Sequence, residues 1–473
     1  MDDMSSSIKK VLVVFLFFFF AVITYITYFE IAVAPKIVNS TLNKRTWVKR
    51  NEVLRGTIYD RNMVALTKSE KVDELTQKRQ YTGNDVFAHV LGYVNIKYGI
   101  TGLEKKYDSE LMADDTSILD IFNIDKNPTP KVGHNLITTL DSKLQSKAYE
   151  LLGDNIGAIV ALDPKTGEIL ALVSKPSYDP NNLEKIWTDL NKNKNSPLIN
   201  RATAGLYPPG STFKIITALS ALENIGGIQN RTFKDNGKLV FNSKESLSNF
   251  GGEVLGNLSF RNAFIHSSNV VFGGLGEELG NTKLKTEAEK FYFNANIPSD
   301  GVTIENSMFP KLAKNEIGNI AQSAIGQSTV LATPMEMALV AATIANGGVM
   351  MEPYLVKEVT KSDGTKIKAI EGKPIGTIIS PSNSSIMKDL MLGVVKEGTG
   401  TNANVPGIEI CGKTGTADHK EGGGNLAPHA WFVGFAPYAS PTIALAIIVE
   451  DGGQGGIIAA NIASGLIKEY LGS

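Results

Sequence analysis

Two side chains at the start of an amphipathic segment have the types and spacing that nucleophilic chemistry needs. Ser211 and Lys214 lie three residues apart in YPPGSTFKIITALSAL, where a Pro-Pro-Gly sequence precedes apolar residues at helical spacing. Both side chains can therefore project from the first turn of one helix. A neutral lysine there can accept the serine proton, and the helix dipole favours the negative charge that develops. An isolated Ser-x-x-Lys is more often a helix cap beside a solvated lysine, so the pair needs support from elsewhere in the chain.

Two later motifs supply further polar groups. IHSSNVVF places Ser267 and Asn269 two residues apart after a segment of helical character, where a turn would direct both side chains into a cleft. GKTGTA supplies Lys413, Thr414, Gly415 and Thr416. Neither motif is specific alone. Ser-x-x-Lys, Ser-x-Asn and Lys-Thr-Gly in this order, however, form the set found in penicillin-binding proteins and class A β-lactamases.

The third motif overlaps a competing pattern, because GIEICGKT (407–414) fits the phosphate loop G-x-x-x-x-G-K-[ST]. A phosphate loop opens a helix at its lysine. Here Ile408 to Cys411 have strand character, and Thr414 is followed by GTADHKEGGGN, which cannot begin a helix. We therefore expect Lys413 to lie on or beside a strand and no nucleotide to bind. We expect the single cysteine, Cys411, to be a small packed residue rather than a reactive thiol.

Taken together, the motifs identify a family. The chain resembles a class B penicillin-binding protein, one of the membrane-anchored, monofunctional D,D-transpeptidases of bacterial cell-wall synthesis. The resemblance spans most of residues 55–473 and includes RGTIYDRN, TGLEKKYDSEL, ALDPKTGEILALVSKPSYDPN, PLINRA, AIGQSTVLATPMEMALVAATIANGG and HAWFVGFAP. The region before the transpeptidase domain is shorter than in many class B members, so their partner contacts are not carried over.

The resemblance implies catalytic roles for five residues, namely Ser211, Lys214, Ser267, Asn269 and Lys413. Ser211 would attack the carbonyl of the penultimate D-Ala in a stem peptide, releasing the terminal D-Ala and leaving an acyl-enzyme. Lys214 would be the base, kept neutral by burial and by the nearby charge of Lys413. Ser267 would relay a proton to the leaving amine, and Asn269 would hold the substrate amide and orient the lysine.

The resemblance also implies a substrate-binding role for the third motif. Lys413, Thr414 and Thr416 would face the terminal carboxylate of the substrate, and their strand would offer backbone groups to an extended peptide. Gly415 would let that ligand approach without a Cβ in the way. The backbone N–H groups of Ser211 and Thr416 would form an oxyanion hole.

Several other activities remain possible at this level. The same acyl-enzyme would serve a D,D-carboxypeptidase, a β-lactam-hydrolysing enzyme or a β-lactam sensor. No Glu-x-x-Leu-Asn lies between Ser267 and Lys413, which disfavours class A β-lactam hydrolysis. A catalytically silent scaffold of the cell-wall synthesis complex would not need all three motifs. The resemblance implies stem peptides and the lipid-linked glycan precursor as substrates, β-lactams as inhibitors, and a membrane glycan polymerase as partner.

The surrounding pattern predicts an α+β fold. Asp141 can cap a helix, and IGAIVALD and EILALVS predict a hairpin around PKTG. Strand character returns near the C-terminus in AWFVGFAP and TIALAIIVE, with helical segments between the two regions. This arrangement predicts one sheet assembled from distant parts of the chain. The resemblance implies that this sheet is antiparallel and flanked by helices, as in the serine β-lactamase-like fold. We expect the glycines of GGLGEELG to serve helix packing and a C-cap rather than a dinucleotide loop.

Four segments are predicted along the chain: a cytoplasmic tail at 1–10, a transmembrane anchor at 11–30, a small pedestal or dimerisation-like module at 31–130, and the transpeptidase domain at 131–473. A Pro/Gly-bearing linker, KNPTPKVGHN (126–135), would separate the last two. In the module, RGTIYDRNMVALT predicts two short strands around a polar turn. GITGLEKKYDSELM predicts a helix in which Thr101 and Glu104 have capping-box spacing.

The anchor prediction depends on VLVVFLFFFFAVITYITYF, nineteen residues without a charge. A cleaved signal peptide is the alternative, since AVA at 32–34 resembles a cleavage site, but the apolar run is long and Pro35 follows directly. The flanking charges do not favour an outside location of the large domain under the positive-inside rule. We nevertheless expect a single-pass protein of the cell membrane with the catalytic domain outside, because the implied substrate is extracytoplasmic.

The composition narrows the classes of partner. The chain has 47 basic and 48 acidic residues, with no basic excess for binding nucleic acid. One cysteine excludes an intrachain disulfide and a multi-cysteine metal site. The five histidines form no metal-binding motif, and we expect them in loops or at the surface, with His419 and His429 flanking a Gly-rich loop beside the site. We predict no metal and no cofactor.

The phosphate-loop alternative has a direct test. We expect millimolar Mg-ATP to leave the thermal unfolding of the purified chain unchanged. Ligand at about 100 times its dissociation constant would stabilise the chain by about 2.7 kcal/mol, which differential scanning fluorimetry detects. A stabilisation of that size, absent with a magnesium salt alone, would restore the nucleotide interpretation.

Overall fold

The structure is a computed structural model that describes residues 2–33, 47, 50–73, 76–113, 131–243, 245–418 and 427–472. The helices are α1 Asp2–Tyr28, α2 Ala88–Leu91, α3 Gly102–Lys106, α4 Asp108–Leu111, α5 Ser142–Leu152, α6 Leu183–Lys192, α7 Arg201–Ala204, α8 Lys214–Asn224, α9 Phe260–Ile265, α10 Asn269–Lys290, α11 Ile317–Ala324, α12 Pro334–Ala345, α13 Pro381–Glu397 and α14 Ile458–Gly472. The strands are β1 Ile58–Tyr59, β2 Thr67–Lys71, β3 Gln77–Tyr81, β4 Val94–Asn95, β5 Gly99–Ile100, β6 Asn135–Thr138, β7 Gly157–Leu162, β8 Ile169–Lys175, β9 Thr232–Asp235, β10 Lys238–Val240, β11 Ser246–Ser248, β12 Gly256–Ser259, β13 Val349–Met351, β14 Val356–Thr360, β15 Lys366–Ala369, β16 Pro374–Thr377, β17 Cys411–Ala417, β18 His429–Ala436 and β19 Ile443–Val449.

A five-stranded antiparallel sheet organises the larger part of the chain. Its strand order is β17-β18-β19-β7-β8, so the C-terminal strands pair with a hairpin from the middle of the chain. The predicted β7–β8 hairpin and the sheet assembled from distant segments are both confirmed. Asp141 begins α5 as expected, because its carboxylate accepts the N–H groups of Lys143 and Leu144. The predicted α+β class, with helices on an antiparallel sheet, is confirmed.

Both faces of this sheet are buried, which explains its continuous apolar strands. In β19, Ala444, Ala446 and Ile448 belong to the core on the side of α8 and α12. The alternate residues Leu445 and Ile447 belong to the second core, together with residues of α5 and α14. Because successive side chains of a strand point to opposite faces, a strand covered on both sides is apolar throughout.

Helices on one side of the sheet pack closely at glycines. A Cβ on Gly276 of α10 would lie 2.5 Å from the Cβ of Ala324 in α11, and one on Gly273 would lie 2.6 Å from Leu247 Cδ2. The helix-packing role predicted for GGLGEELG is therefore confirmed. Gly280 has the expected left-handed φ of 72°, but it interrupts α10 instead of ending it.

The N-terminal module confirms one prediction and contradicts another. The two segments of RGTIYDRNMVALT pair around the turn: Tyr59 bridges Ala65, and the N–H groups of Leu66 and Asp60 donate to Ile58 O and Val64 O at 2.8 and 2.9 Å. Strand β1 also pairs in parallel with β6, and β2 pairs with β3. The predicted polar turn does form, since Asp60 Oδ1 accepts the N–H groups of Asn62 and Val64 at 2.8 and 2.7 Å. A short hairpin pattern cannot reveal a partner strand that lies almost eighty residues away along the chain.

The capping-box prediction was wrong. Thr101 is the N-cap of α3 but makes no side-chain capping bond, and the helix is broken at Tyr107 between α3 and α4. Glu104 turns into the module, where it pairs with Arg55 at 2.5 Å and Arg79 at 2.7 Å. Burial alone would raise the pKa of Glu104, but the two arginines hold it below its ordinary value. Because Glu104 is buried, its carboxylate needs charged partners, and the two guanidinium groups supply them through charge-assisted hydrogen bonds.

The apolar N-terminal helix is long enough to cross a membrane. The segment Ile8–Val33 has 26 residues and a mean hydropathy of 2.5, and none of its most apolar stretch is buried against the rest of the chain. It includes the predicted 11–30 span. Half of the predicted linker, residues 126–130, lies outside the described residues, and residues 131–135 lead into β6, which begins at Asn135.

The buried ion pairs of the module give a stability prediction. We expect Glu104→Ala to lower the free energy of unfolding by about 3–5 kcal/mol, because both arginines then lose their buried counter-ion. Since the pKa of Glu104 is depressed in the folded state, its contribution is present above the ordinary carboxyl pKa and is lost as the pH falls through the folded value. Urea denaturation of the detergent-solubilised chain, followed by tryptophan fluorescence, measures the loss.

The partly exposed Glu110 in α4 supplies a matched control. Its side chain accepts only a surface bond from Ser109, so Glu110→Ala should change the free energy of unfolding by no more than about 0.5 kcal/mol. Equal effects of the two substitutions would contradict the ion-pair account.

Candidate active site

The three motifs meet in a groove of 1210 Å³. It opens between strand β17, the turn that joins α9 to α10, and the 3₁₀ helix Gly210–Phe213 that leads into α8. The motif residues that line the groove are Ser211, Ser267, Asn269, Thr414 and Thr416. Segments separated by up to about 200 residues of sequence therefore present their polar groups to one space.

The segment that carries Ser211 is held against the sheet. Gly210 has a left-handed φ of 53°, and a Cβ there would lie 3.0 Å from Thr416 O. On the other side of the serine, Thr212 Oγ1 donates to Pro209 O at 2.7 Å. Trp431 in β18 donates its Nε1 hydrogen to Pro208 O at 3.0 Å. The Pro-Pro-Gly sequence thus closes a tight turn that leaves the serine at the wall of the groove.

Lys214 is completely buried beneath this turn. Its Nζ lies 2.6 Å from Ser267 O, 2.7 Å from Asn269 Oδ1 and 3.2 Å from Ser267 Oγ. Burial lowers the pKa of Lys214 well below its ordinary value, and the charge of Lys413 lowers it further, while Asp235 opposes this in part. The amine is therefore disposed to be neutral, as a proton acceptor must be.

Ser267 lies between two lysines. It has a left-handed φ of 57° in the turn after α9, a conformation uncommon for a residue other than glycine. Its Oγ is 2.9 Å from Lys413 Nζ and 3.2 Å from Lys214 Nζ. A hydroxyl with an amine on each side can accept a proton from one and donate to the other.

Lys413 is also fully buried, and it lies on a strand as predicted. Its Nζ donates to Thr414 O at 3.1 Å in addition to Ser267 Oγ. Burial lowers its pKa to about 7, a smaller depression than that of Lys214, so Lys413 holds its proton more readily. The strand begins later than expected, at Cys411, so Ile408 lies outside it.

The two threonines of the third motif have polar neighbours at the groove. Thr414 Oγ1 lies 2.6 Å from Thr399 Oγ1, and Thr416 Oγ1 accepts the Gly455 N–H at 3.4 Å. Thr399 was not anticipated from the sequence, because it belongs to no motif. Its hydroxyl adds a donor or acceptor to the groove beside the hydroxyls of Ser211, Ser267, Thr414 and Thr416, which the sequence analysis named.

The reason given for Gly415 was wrong. A Cβ at this position would lie 3.0 Å from Pro209 O, Thr212 Cγ2 and Trp431 Cβ. These are atoms of the protein itself, around the turn that carries Ser211. Gly415 therefore allows that turn to approach the strand, and the space for its missing side chain is not open to a ligand.

Strand β17 lies at one end of the five-stranded sheet, with β18 as its paired neighbour. Within the part of the chain that the structure describes, no strand pairs with its other edge. An unpaired strand edge offers backbone N–H and C=O groups to an extended peptide. The edge runs along the groove that Thr414 and Thr416 line.

The remaining sequence predictions concern metals, histidines and the cysteine. No group of three histidine, cysteine or acidic side chains suited to a metal occurs among the described residues. Cys411 is buried as expected, and burial raises the pKa of its thiol. His429 is not in a loop or at the surface: it begins β18, is mostly buried and contacts the Tyr207 ring. His419 lies outside the described residues.

The sequence matches two known protein families. Residues 157–468 match the penicillin binding protein transpeptidase domain, and residues 55–123 match the penicillin binding protein A dimerisation domain. Peptidoglycan D,D-transpeptidase PbpA of Mycolicibacterium smegmatis is 32% identical over 99% of each chain. The protein of the same name in Mycobacterium tuberculosis is 35% identical over 83% of this chain and 84% of its own.

Solved structures agree with these matches. Penicillin-binding protein A from M. tuberculosis, in its penicillin G acyl-enzyme complex, has a TM-score of 0.82 and 33% identity, and the match covers 89% of this chain and 100% of that one. The D,D-transpeptidase domain of a peptidoglycan glycosyltransferase from Eggerthella lenta has a TM-score of 0.79 and 34% identity over 89% of this chain and 99% of its own. The chain therefore belongs to the class B penicillin-binding proteins.

Proposed function

We propose that the protein is a membrane-anchored serine D,D-transpeptidase that cross-links peptidoglycan stem peptides and is acylated by β-lactams. The observation that carries this proposal is the Ser267 hydroxyl, 2.9 Å from one buried lysine amine and 3.2 Å from another, in the groove that Ser211 also lines. The relatives named D,D-transpeptidases and the acyl-enzyme structures of M. tuberculosis penicillin-binding protein A support the same reaction.

In the acylation step, Ser211 Oγ transfers its proton to neutral Lys214 and bonds to the carbonyl carbon of the penultimate D-Ala. The tetrahedral intermediate collapses when its C–N bond breaks. The leaving D-Ala nitrogen receives a proton through Ser267, whose Oγ contacts both lysines. An ester on Ser211 remains, and the amine of a second stem peptide attacks it to restore the serine and form the cross-link.

Substrate binding uses the strand and its positive charge. Protonated Lys413, with Thr414 and Thr416, binds the terminal carboxylate, and the free edge of β17 pairs with the extended peptide. Asn269 holds the substrate amide while its Oδ1 accepts from Lys214. The backbone N–H groups of Ser211 and Thr416 stabilise the oxyanion, worth about 3–4 kcal/mol per donor in other acyl-transfer enzymes.

Localisation and partners follow from the substrate. Residues 11–30, within the apolar segment Ile8–Val33, anchor the chain in the cell membrane as a single pass, with the tail at 1–10 in the cytoplasm and the catalytic domain outside. Residues 31–130 form the pedestal and 131–473 the transpeptidase domain. The two family matches describe a transpeptidase domain and a dimerisation domain, and we propose that a separate membrane polymerase supplies the glycan strands.

Covalent labelling tests the nucleophile. Fluorescent penicillin should label the purified chain, and Ser211→Ala should abolish the label while the melting temperature stays unchanged, because the acyl ester forms on that hydroxyl. Mass spectrometry of a digest locates the adduct. Ser464→Ala, in α14, is the matched control and should label as the wild type does. Persistent labelling of Ser211→Ala, or an adduct on another residue, would refute the assignment.

The two lysines predict a bell-shaped pH dependence for the second-order rate constant of acylation by benzylpenicillin. Lys214 must be neutral, so the rate constant falls as the pH drops through its lowered pKa. Lys413 must be protonated to bind the β-lactam carboxylate, and its pKa is about 7, so the rate constant also falls as the pH rises above about 7. Stopped-flow measurement between pH 5 and pH 10 gives the profile.

The methyl ester of benzylpenicillin separates the two limbs. The ester has no carboxylate for Lys413 to bind, so it should react more slowly. Its acylation rate constant should still fall at low pH but should no longer fall at high pH. An alkaline limb of equal size with the ester would show that Lys413 does not act through the carboxylate.

A further inference from the structure

A buried carboxylate that belongs to none of the three motifs lies behind the catalytic turn. Asp235 ends strand β9 and has no solvent exposure. Its Oδ1 accepts from Gly237 N at 2.8 Å and Asn249 Nδ2 at 2.9 Å. Its Oδ2 accepts from Asn249 Nδ2 at 2.8 Å and from the Ser268 hydroxyl at 2.6 Å. No lysine or arginine forms a salt bridge with it within the described ranges, so neutral donors solvate this carboxylate.

Both side-chain partners of Asp235 cap the first turn of α10. Asn249 Oδ1 accepts the N–H groups of Asn269 and Val270 at 2.8 and 3.2 Å. Ser268 Oγ accepts the Val271 N–H at 3.0 Å. These three N–H groups have no acceptor within the helix, so the two caps satisfy donors that would otherwise be buried without partners.

The charge of Asp235 fixes which way these caps face. An ionised carboxylate only accepts hydrogen bonds, so the amide of Asn249 must turn its nitrogen to Asp235 and its oxygen to the helix. For the same reason the Ser268 hydroxyl hydrogen points to Asp235, which leaves its lone pairs for the helix N–H. A neutral amide in place of the carboxylate would present a donor to one of these donors and allow the Ser268 cap to reverse, while Asn249 Nδ2 would keep only its bond to Glu253 O at 2.9 Å.

The catalytic turn is the part of the chain that these caps hold. Ser267 precedes Ser268 and has its left-handed φ of 57° there, and its carbonyl accepts from Lys214 Nζ at 2.6 Å. Asn269 follows, and its Oδ1 accepts from the same Nζ at 2.7 Å. Ser267 and Asn269, which supply the acceptors of the lysine, therefore flank Ser268, the residue that Asp235 binds directly.

We infer that Asp235 is a positioning residue of the catalytic groove: through Ser268 and Asn249 it holds the Ser267–Asn269 turn in place beneath the nucleophile. Its negative charge also acts on the buried Lys214. The charged groups that act on Lys214 are Lys413, from β17, and Asp235, from β9, with opposite signs. This inference rests on the proposed function, because acylation by penicillin is its readout.

Asp235→Asn in the full-length, detergent-solubilised protein tests the inference. The rate constant for acylation by benzylpenicillin should fall about 10- to 100-fold, the effect of a small misplacement of catalytic groups. The acidic limb of the pH profile should move to lower pH, because removal of a negative charge disfavours protonated Lys214 further. The affinity of the reversible complex should change by less than about 3-fold, since Lys413 still binds the carboxylate.

Glu278→Gln is the matched control. It removes one negative charge from the exposed face of α10, where Glu278 pairs with Arg231, and should leave the rate and the profile unchanged. Asp235→Glu keeps the charge in a longer side chain. It should slow acylation but leave the acidic limb near its wild-type position, which separates the effect of charge from that of geometry.

The experiment distinguishes failure of this inference about Asp235 from failure of the proposed function. A wild-type chain that penicillin does not acylate would refute the proposed function itself. A wild-type chain that reacts, together with an Asp235→Asn variant of the same rate and the same acidic limb, would overturn only the role of Asp235. If Asp235→Asn does not fold, Ser268→Ala takes its place, because it removes one bond to the carboxylate and keeps the charge. That variant should slow acylation about 5-fold or more, and an unchanged rate would overturn the inference.

Discussion

Two lysine amines buried on either side of one hydroxyl impose the constraint on which the rest of the site depends. Lys214 and Lys413 are both fully buried, and each contacts Ser267 Oγ. Burial disfavours the charged form of each, and a proton on one disfavours a proton on the other. In the proposed mechanism the pair divides its roles by electrostatics: Lys214, whose pKa is lowered well below its ordinary value, would serve as the base, and Lys413 would retain the positive charge.

The fold supports this arrangement from three directions. Lys413 lies in the edge strand of a sheet that is buried on both faces, so packing holds this strand in place. A tight turn tied to the sheet by Trp431 presents Ser211. A capped helix end follows Ser267, which has a left-handed φ, and the buried carboxylate of Asp235 binds both capping side chains. Each support uses hydrogen bonds to backbone groups, so a small shift in one segment changes the distances around the shared hydroxyl.

Local features of the chain were predictable where the residues that produce them lie close together in sequence. Asp141 caps the helix that follows it, and the β7–β8 hairpin closes over a four-residue turn. The predictions failed where a distant segment offered a better partner. Glu104 has capping-box spacing, but its side chain pairs instead with Arg55 and Arg79, which lie far from it in sequence. Gly415 makes room for Pro209 and Thr212, not for a ligand, because the sequence does not show which segment faces a strand. His429 is polar, yet it lies in a buried strand against Tyr207.

The sequence by itself determined which chemical groups are available. They are the Ser-x-x-Lys, Ser-x-Asn and Lys-Thr-Gly motifs, together with an apolar segment that can cross a membrane. Tertiary structure alone decided the distances among these groups, the depth at which both lysines are buried, and the recruitment of Asp235 and Thr399. The physical reason is that side-chain type is a property of one residue. Desolvation and charge–charge interaction depend on every atom that folding brings near it.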